Sequence, residues 1–186
     1  MFAEKVFIGG KVLYYPDKEL EKAGFSLSQR LTGPHVVVDR ELVTGQNPFS
    51  TTRSAEEVVK ALGLEPQART LYKDEKSIYL IQDILDDKKS ITGAEQELAK
   101  NNGSYDIPLI AVWGYYKILA SKEDQTELMK GIEMVELTSP YFFNENLQML
   151  VAETYSALGQ NQKAENILED LIAKDLLKEK AKTRLN

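Results

Sequence analysis

The chain contains no cysteine and one histidine among 186 residues. The first absence removes disulfides, thiolate nucleophiles and cysteine-ligated metal together. The second leaves His35 as the only imidazole, so no paired-histidine zinc pattern can be written. Long apolar runs are missing too. No window approaches the roughly 18 apolar residues that a bilayer span requires. The opening residues, MFAEKVFIGGKVLYYPD, fall short of the about 7–15 apolar residues of a secretory core. These absences point to a reducing compartment, and the expected location is cytoplasmic.

Basic surplus is also lacking. The formal net charge is −6. Acidic and basic side chains balance across residues 1–63, so the deficit lies in the remainder. The closing stretch KDLLKEKAKTRLN is locally basic, which suits the C-terminal end of a helix dipole. Nucleic-acid binding needs a broad basic face, and none is legible. We therefore expect no nucleic-acid, membrane or cofactor role.

What is present divides into two parts. Residues 1–64 read as α/β. Lys11–Tyr15 is a short β-rich run ended by Pro16. DKELEKAG follows, with Asp17 as expected N-cap and Gly24 as stop. Val36–Asp39 is a continuous apolar run of the kind buried on both faces of a sheet. A two-residue turn at Asp39-Arg40 or Arg40-Glu41 leads to ELVTG. In TTRSAEEVVKALG, Ser54 and Glu57 have capping-box spacing, and Ala55, Val58, Val59 and Leu62 share one helical face.

From Leu64 onward the apolar period is 3.6. Six stripes follow: Ile78, Ile81, Ile84 and Leu85; Ala94 and Leu98; Leu109, Val112, Trp113, Tyr116 and Leu119; Leu128, Ile132 and Val135; Leu147, Leu150, Val151, Tyr155 and Leu158; Ala164, Ile167, Leu168, Leu171 and Ile172. Breaks fall at DDKKS, NNGSYD, ASKED, TSPYF and LGQNQ. The pattern predicts three helix pairs over residues 65–186, with a further C-terminal helix. Ala94 and Ala164 lie 70 positions apart, two periods of 35, with Met129 midway. A plain six-helix bundle would give the same stripes.

In the last pair, Ala152, Tyr155, Gly159, Ala164 and Leu168 stand at spacings of 3, 4, 5 and 4. This run resembles a tetratricopeptide repeat: small and aromatic residues on the first helix, Gly at the turn, Ala on the second. Leu176 stands where the motif usually ends in proline, and Pro140 ends the middle pair. The resemblance implies a helix-pair solenoid.

A second resemblance lies earlier. Gly10-Lys11-Val12, Pro16-Asp17, Glu19, Glu21, Val36–Asp39, Leu42-Val43-Thr44-Gly45-Gln46-Asn47-Pro48 and Ser50 resemble the C-terminal part of the ThiJ/PfpI family, within the class I glutamine amidotransferase-like superfamily. It spans residues 9–63 and implies a remnant of a flavodoxin-like, amidotransferase-like sheet. The family's nucleophilic cysteine, its glutamate and its histidine belong to segments this chain lacks. His35 precedes the VVVD strand and takes no catalytic role from the resemblance. Gln46, Asn47 and Pro48 form the loop that would line a family site. An incomplete sheet of this kind needs covering, by the helical part or by another chain.

Other candidates have simpler readings. Gly9-Gly10-Lys11 lacks the spacer of a phosphate loop. Asp86-Asp87 with Lys88-Lys89 is a solvated helix end. Ser50, Thr51, Thr52 and Ser54 read as cap and loop residues. Trp113 and Tyr116 are expected in the core. Tyr115, Tyr141, Phe142 and Phe143 are the candidate interaction surface, because aromatics concentrate at recognition sites. The expected function is a non-catalytic interaction or oligomerisation module, with a protein partner or a second copy. The alternative is a piece of a ThiJ/PfpI-type glyoxalase, deglycase, amidase, protease-like enzyme or chaperone whose cysteine half lies elsewhere.

Overall fold

The computed structural model describes residues 15–30, 33–121, 124–174 and 178–185. Helix dominates. Among these residues the order is α1 (Pro16–Lys22), β1 (Val36–Asp39), β2 (Leu42–Gly45), a 3-10 turn (Pro48–Ser50), α2 (Thr51–Ala61), α3 (Lys73–Leu85), α4 (Ile91–Asn101), a 3-10 turn (Asn102–Ser104), α5 (Ile107–Ala120), α6 (Gln125–Thr138), α7 (Glu145–Ala157), α8 (Asn161–Ala173) and α9 (Lys178–Leu185). The chain separates into two compact units, Met1–Gln82 and Asp83–Asn186.

The first unit departs from the expected α/β arrangement at several points. The Lys11–Tyr15 run lies outside the described residues except for Tyr15. Tyr15, not Asp17, is the N-cap of α1: Pro16 opens the helix with its fixed φ, which moves Asp17 into the first turn. Val36–Asp39 is not buried on both faces. It pairs antiparallel with β2 in a two-stranded hairpin, and Asp39 faces Leu42 across a loop of Arg40 and Glu41. Arg40 takes a left-handed φ of 53° to close it. With one neighbouring strand, Val36 and Val37 are half-buried and Val38 is 47% exposed.

The Ser54–Glu57 capping box does not form. Pro48 starts a 3-10 turn that runs into α2, so Ser50 takes the N-cap position and Ser54 falls in the second turn. Gly45 explains the close seat of this helix. A Cβ there would stand 2.7 Å from Ser54 Oγ and 2.9 Å from Ser50 Cβ. The α2 face of Ala55, Val58 and Leu62 is turned outward: all three are exposed. Residues 64–72 form an irregular connector rather than the start of a helical period.

All six expected helices are present, and so is the C-terminal one. Side-chain caps set several starts. Ser90, Asp106, Asp124 and Asn144 accept hydrogen bonds from free amides at the first turns of α4, α5, α6 and α7. α5 packs along α6, and α7 along α8. Ile118, Leu128, Ile132, Val135, Val151, Tyr155 and Ala164 make one apolar core through α5–α8. Met149, Ala152, Leu168, Leu171 and Ala181 make a second, through α7–α9. Tyr155 also donates to Glu136 Oε1 at 2.6 Å, and Lys163 Nζ lies 4.8 Å from its ring centre. Burial first, and the Glu136 carboxylate second, hold the Tyr155 hydroxyl well above its ordinary pKa.

Candidate functional site

The loop that would line a family site is occupied with structural hydrogen bonds. The Gln46 amide donates to Arg30 O at 2.7 Å and accepts from Arg30 N at 2.8 Å. It therefore pairs with residue 30 as a peptide group would across a sheet. Asn47 Nδ2 donates to Gly33 O at 2.7 Å, and its Oδ1 accepts from Ser50 Oγ at 3.1 Å. Ser50, fully buried, also accepts from His35 N at 3.1 Å. Pro48 begins the following 3-10 turn. These residues latch the hairpin to the segment before it. His35 Nε2 lies 2.8 Å from Ser28 Oγ in an exposed pair.

A second polar centre ties the connector to α2 and α3. Arg69 grips Glu75 in a two-pronged pair, Nη1 to Oε2 at 2.6 Å and Nη2 to Oε1 at 2.8 Å. Glu75 also accepts from Thr52 Oγ1 and from Tyr72 N. The same guanidinium reaches Glu56. The Arg69 hydrogen bonds, helped by Thr52 and Tyr72, outweigh burial and hold the Glu75 carboxyl down at about 2. Arg69 and Tyr72 carried no signal in apolar periodicity, which ignores connectors.

In the second unit, Glu97 receives hydrogen bonds from Lys89 and from Tyr105. Burial disfavours its charge, yet those two donors win and its pKa falls. Burial, then Glu97, raises the Tyr105 hydroxyl to about 12. Lys117 on α5 pairs with Glu127 on α6, and Lys130 reaches Asp87 at 2.8 Å. Each centre satisfies its own charges. No group of three acidic or histidine side chains suited to a metal occurs among the described residues.

The aromatic candidates divide. Tyr141 and Phe143 are exposed in the loop between α6 and α7, while Phe142 is half-buried. Lys174 Nζ sits 4.8 Å from the Phe143 ring centre. Tyr115 is half-buried on α5, edge-on to Tyr116 with ring centres 5.3 Å apart.

α5 buries the face opposite the stripe expected from the sequence. The buried face is Ile107, Ile110, Ala111, Gly114 and Ile118. The stripe read from sequence is the other face: Leu109, Trp113, Tyr116 and Leu119 are half-buried and Val112 is 38% exposed. Trp113 and Tyr116 are therefore not core residues. α5 carries one charged residue, Lys117, in fourteen. A helix this apolar all round has two faces to cover, and periodicity alone cannot rank them. The second face forms a ridge at i, i+3, i+4, i+7 and i+10, about 15 Å long at the helical rise.

No helix among the described residues is long and apolar enough to cross a membrane. Comparison with family models, with curated proteins and with solved structures finds no match to this chain.

Proposed function

We propose that this chain is a non-catalytic protein-interaction module that assembles with a second copy of itself. The observation that carries the reading is the second face of α5, where Leu109, Val112, Trp113, Tyr116 and Leu119 form an apolar, aromatic ridge that remains partly open to solvent. Trp and Tyr are enriched among the few residues that carry most of the energy at recognition sites. A symmetric pair of such ridges is self-complementary. The exposed Tyr141 and Phe143 add aromatic surface on the same unit.

The helical unit is read as a solenoid of tetratricopeptide type, supported by the packing of Ala152 and Tyr155 with Ala164 and Leu168 in the last pair. The hairpin and α2 are read as a ThiJ/PfpI-like remnant that serves as a structural element. The hydrogen-bonding groups of Gln46 and Asn47 are engaged within the chain, which supports a latch rather than a substrate loop.

Sedimentation of the wild-type chain against Val112→Asp tests this. The wild type should associate as concentration rises, and the variant should stay monomeric with unchanged helical circular dichroism. A wild type that remains monomeric up to its solubility limit overturns the reading.

A further inference from the structure

β1 pairs on one side only. Gln46 N donates to His35 O at 2.9 Å, so residues 35 and 46 form a hydrogen-bonded pair of the ladder. Val36 stands opposite Gly45, and Val38 opposite Val43. The alternation of an antiparallel pair therefore turns the amides and carbonyls of Val36 and Val38 away from β2. Among the described residues no third strand joins the hairpin, and no backbone hydrogen bond reaches those outward groups. α2 does not cover this edge. It lies against the face that carries Gly45, where a Cβ would meet Ser50 and Ser54. Val38 is 47% exposed and Asp39 is exposed. No lysine, proline or bulge blunts the edge, and its shortness is its one protection.

The stretch HVVVD, His35 to Asp39, is complementary to itself. Laid antiparallel about Val37, Val37 meets Val37 of a second copy, Val36 meets Val38, and His35 meets Asp39. The outward amides of Val36 and Val38 then donate to each other's carbonyls across the new junction. His35, Val37 and Asp39 share one face of the strand, so imidazole and carboxylate meet at both ends of the paired valines. A parallel alignment in the same register would set Asp39 against Asp39, and like charges directly opposite repel. Charge thus selects both the orientation and the register.

We propose that the outer edge of β1 is a strand-addition site whose occupant is β1 of a second copy, antiparallel and centred on Val37. The two hairpins then form one continuous sheet. Strands this short hold each other weakly. The contact is transient by itself, so a chain that lacks the α5 ridge still sediments as a monomer. It is a second self-association surface and does not rest on the ridge.

Because the chain has no cysteine, one introduced cysteine reports the register. Full-length Val112→Asp chains, which lack the ridge contact, carry Val37→Cys, Val38→Cys or Leu42→Cys and are treated with oxidised glutathione. In the paired strands Val37 faces its own copy at roughly 4.5 Å between Cα atoms, inside the about 4.4–6.8 Å that a disulfide spans. Val38 faces Val36, and its own copy lies diagonally, beyond roughly 7 Å. Val37→Cys should therefore form covalent dimer about tenfold faster than the other two, because pairing holds the sulfurs within reach. Random collision would reverse that order, since Val37 is half-buried while Val38 and Leu42 are 47% and 53% exposed. Adding Val38→Pro removes an outward amide, spares the ladder to β2, and should return Val37→Cys to the collision rate with unchanged circular dichroism. Should Val38→Pro unfold the hairpin, Asp39→Lys makes the same comparison by setting a cation against His35. Mixing Val37→Cys chains that carry Asp39→Lys with differently tagged ones that carry His35→Glu should restore fast cross-linking as a mixed dimer. A mixture that stays slow overturns the register. Val37→Cys no faster than Val38→Cys overturns the proposal. So do Val36 and Val38 amides already protected from exchange in dilute Val112→Asp chain, since the edge would then be covered within one copy.

Discussion

Gly114 of α5 and Gly131 of α6 pass each other with no room for a side chain on either. A Cβ on Gly114 would lie 2.9 Å from the Gly131 carbonyl oxygen and 2.8 Å from Val135 Cγ2. A Cβ on Gly131 would lie 2.9 Å from Ile118 N and 3.1 Å from the Gly114 oxygen. The obstacles are mostly backbone, which cannot swing aside. This crossing sets the spacing of the α5–α6 pair.

Gly131→Ala should therefore destabilise the protein by about 1–3 kcal/mol through forced separation of the two helices, against the gain in helix propensity that alanine brings. Urea denaturation followed by circular dichroism measures it. A stabilised variant would show that α5 and α6 are not in close contact there.

Ser50 and Ser54 stand four residues apart and should respond oppositely to alanine. Ser50 Oγ holds Asn47 and the His35 amide in a buried site. Its removal leaves both partners short of a hydrogen bond and should cost about 1–3 kcal/mol. Ser54 Oγ is buried and finds no hydrogen-bond partner among the described residues. Ser54→Ala discards an unsatisfied hydroxyl, so stability should hold or rise by up to about 1 kcal/mol. Equal losses in both variants would contradict the described arrangement of the latch.

Glu75 gives the fold an acid-sensitive tie. Its carboxyl is held at about 2, below the ordinary 4.5. The folded state thus binds the proton less readily than the unfolded chain. The associated stability is complete above about pH 4.5 and is lost as pH falls toward 2. Glu75→Gln should weaken the fold at neutral pH by about 1.5–3 kcal/mol. It should also flatten the acid limb of the stability profile between pH 4.5 and 2. A variant with the wild-type acid profile would mean that other carboxylates govern that limb.

The helices were legible because their apolar spacing, caps and breaks agree. Ser90, Asp106 and Asp124 close three of the breaks, Asn144 lies two residues past a fourth, and Gly159, at φ 72°, ends α7 in a conformation that favours glycine. Faces were harder. In α5 both sides are apolar, so choosing the stripe with the aromatic residues selected the half-exposed one. The hairpin misled for a related reason: three consecutive valines fit a strand covered on both sides, but one paired neighbour leaves Val38 open. Pro48 displaced the start of α2 because its fixed φ begins a turn ahead of the capping pattern. The latch of Gln46, Asn47 and Ser50 is long-range, and no local spacing announces a hydrogen bond from residue 46 to residue 30.

Tyr155 stands on α7, donates its hydroxyl proton to Glu136 of α6 and lies beneath Lys163 of α8. One buried ring thus belongs to three helices at once. None of the three can open without stripping the ring of a neighbour, so their backbone amides should exchange with solvent through a shared opening. The helices α6, α7 and α8 would then melt as one event, with Tyr155 as the bolt that must be drawn first.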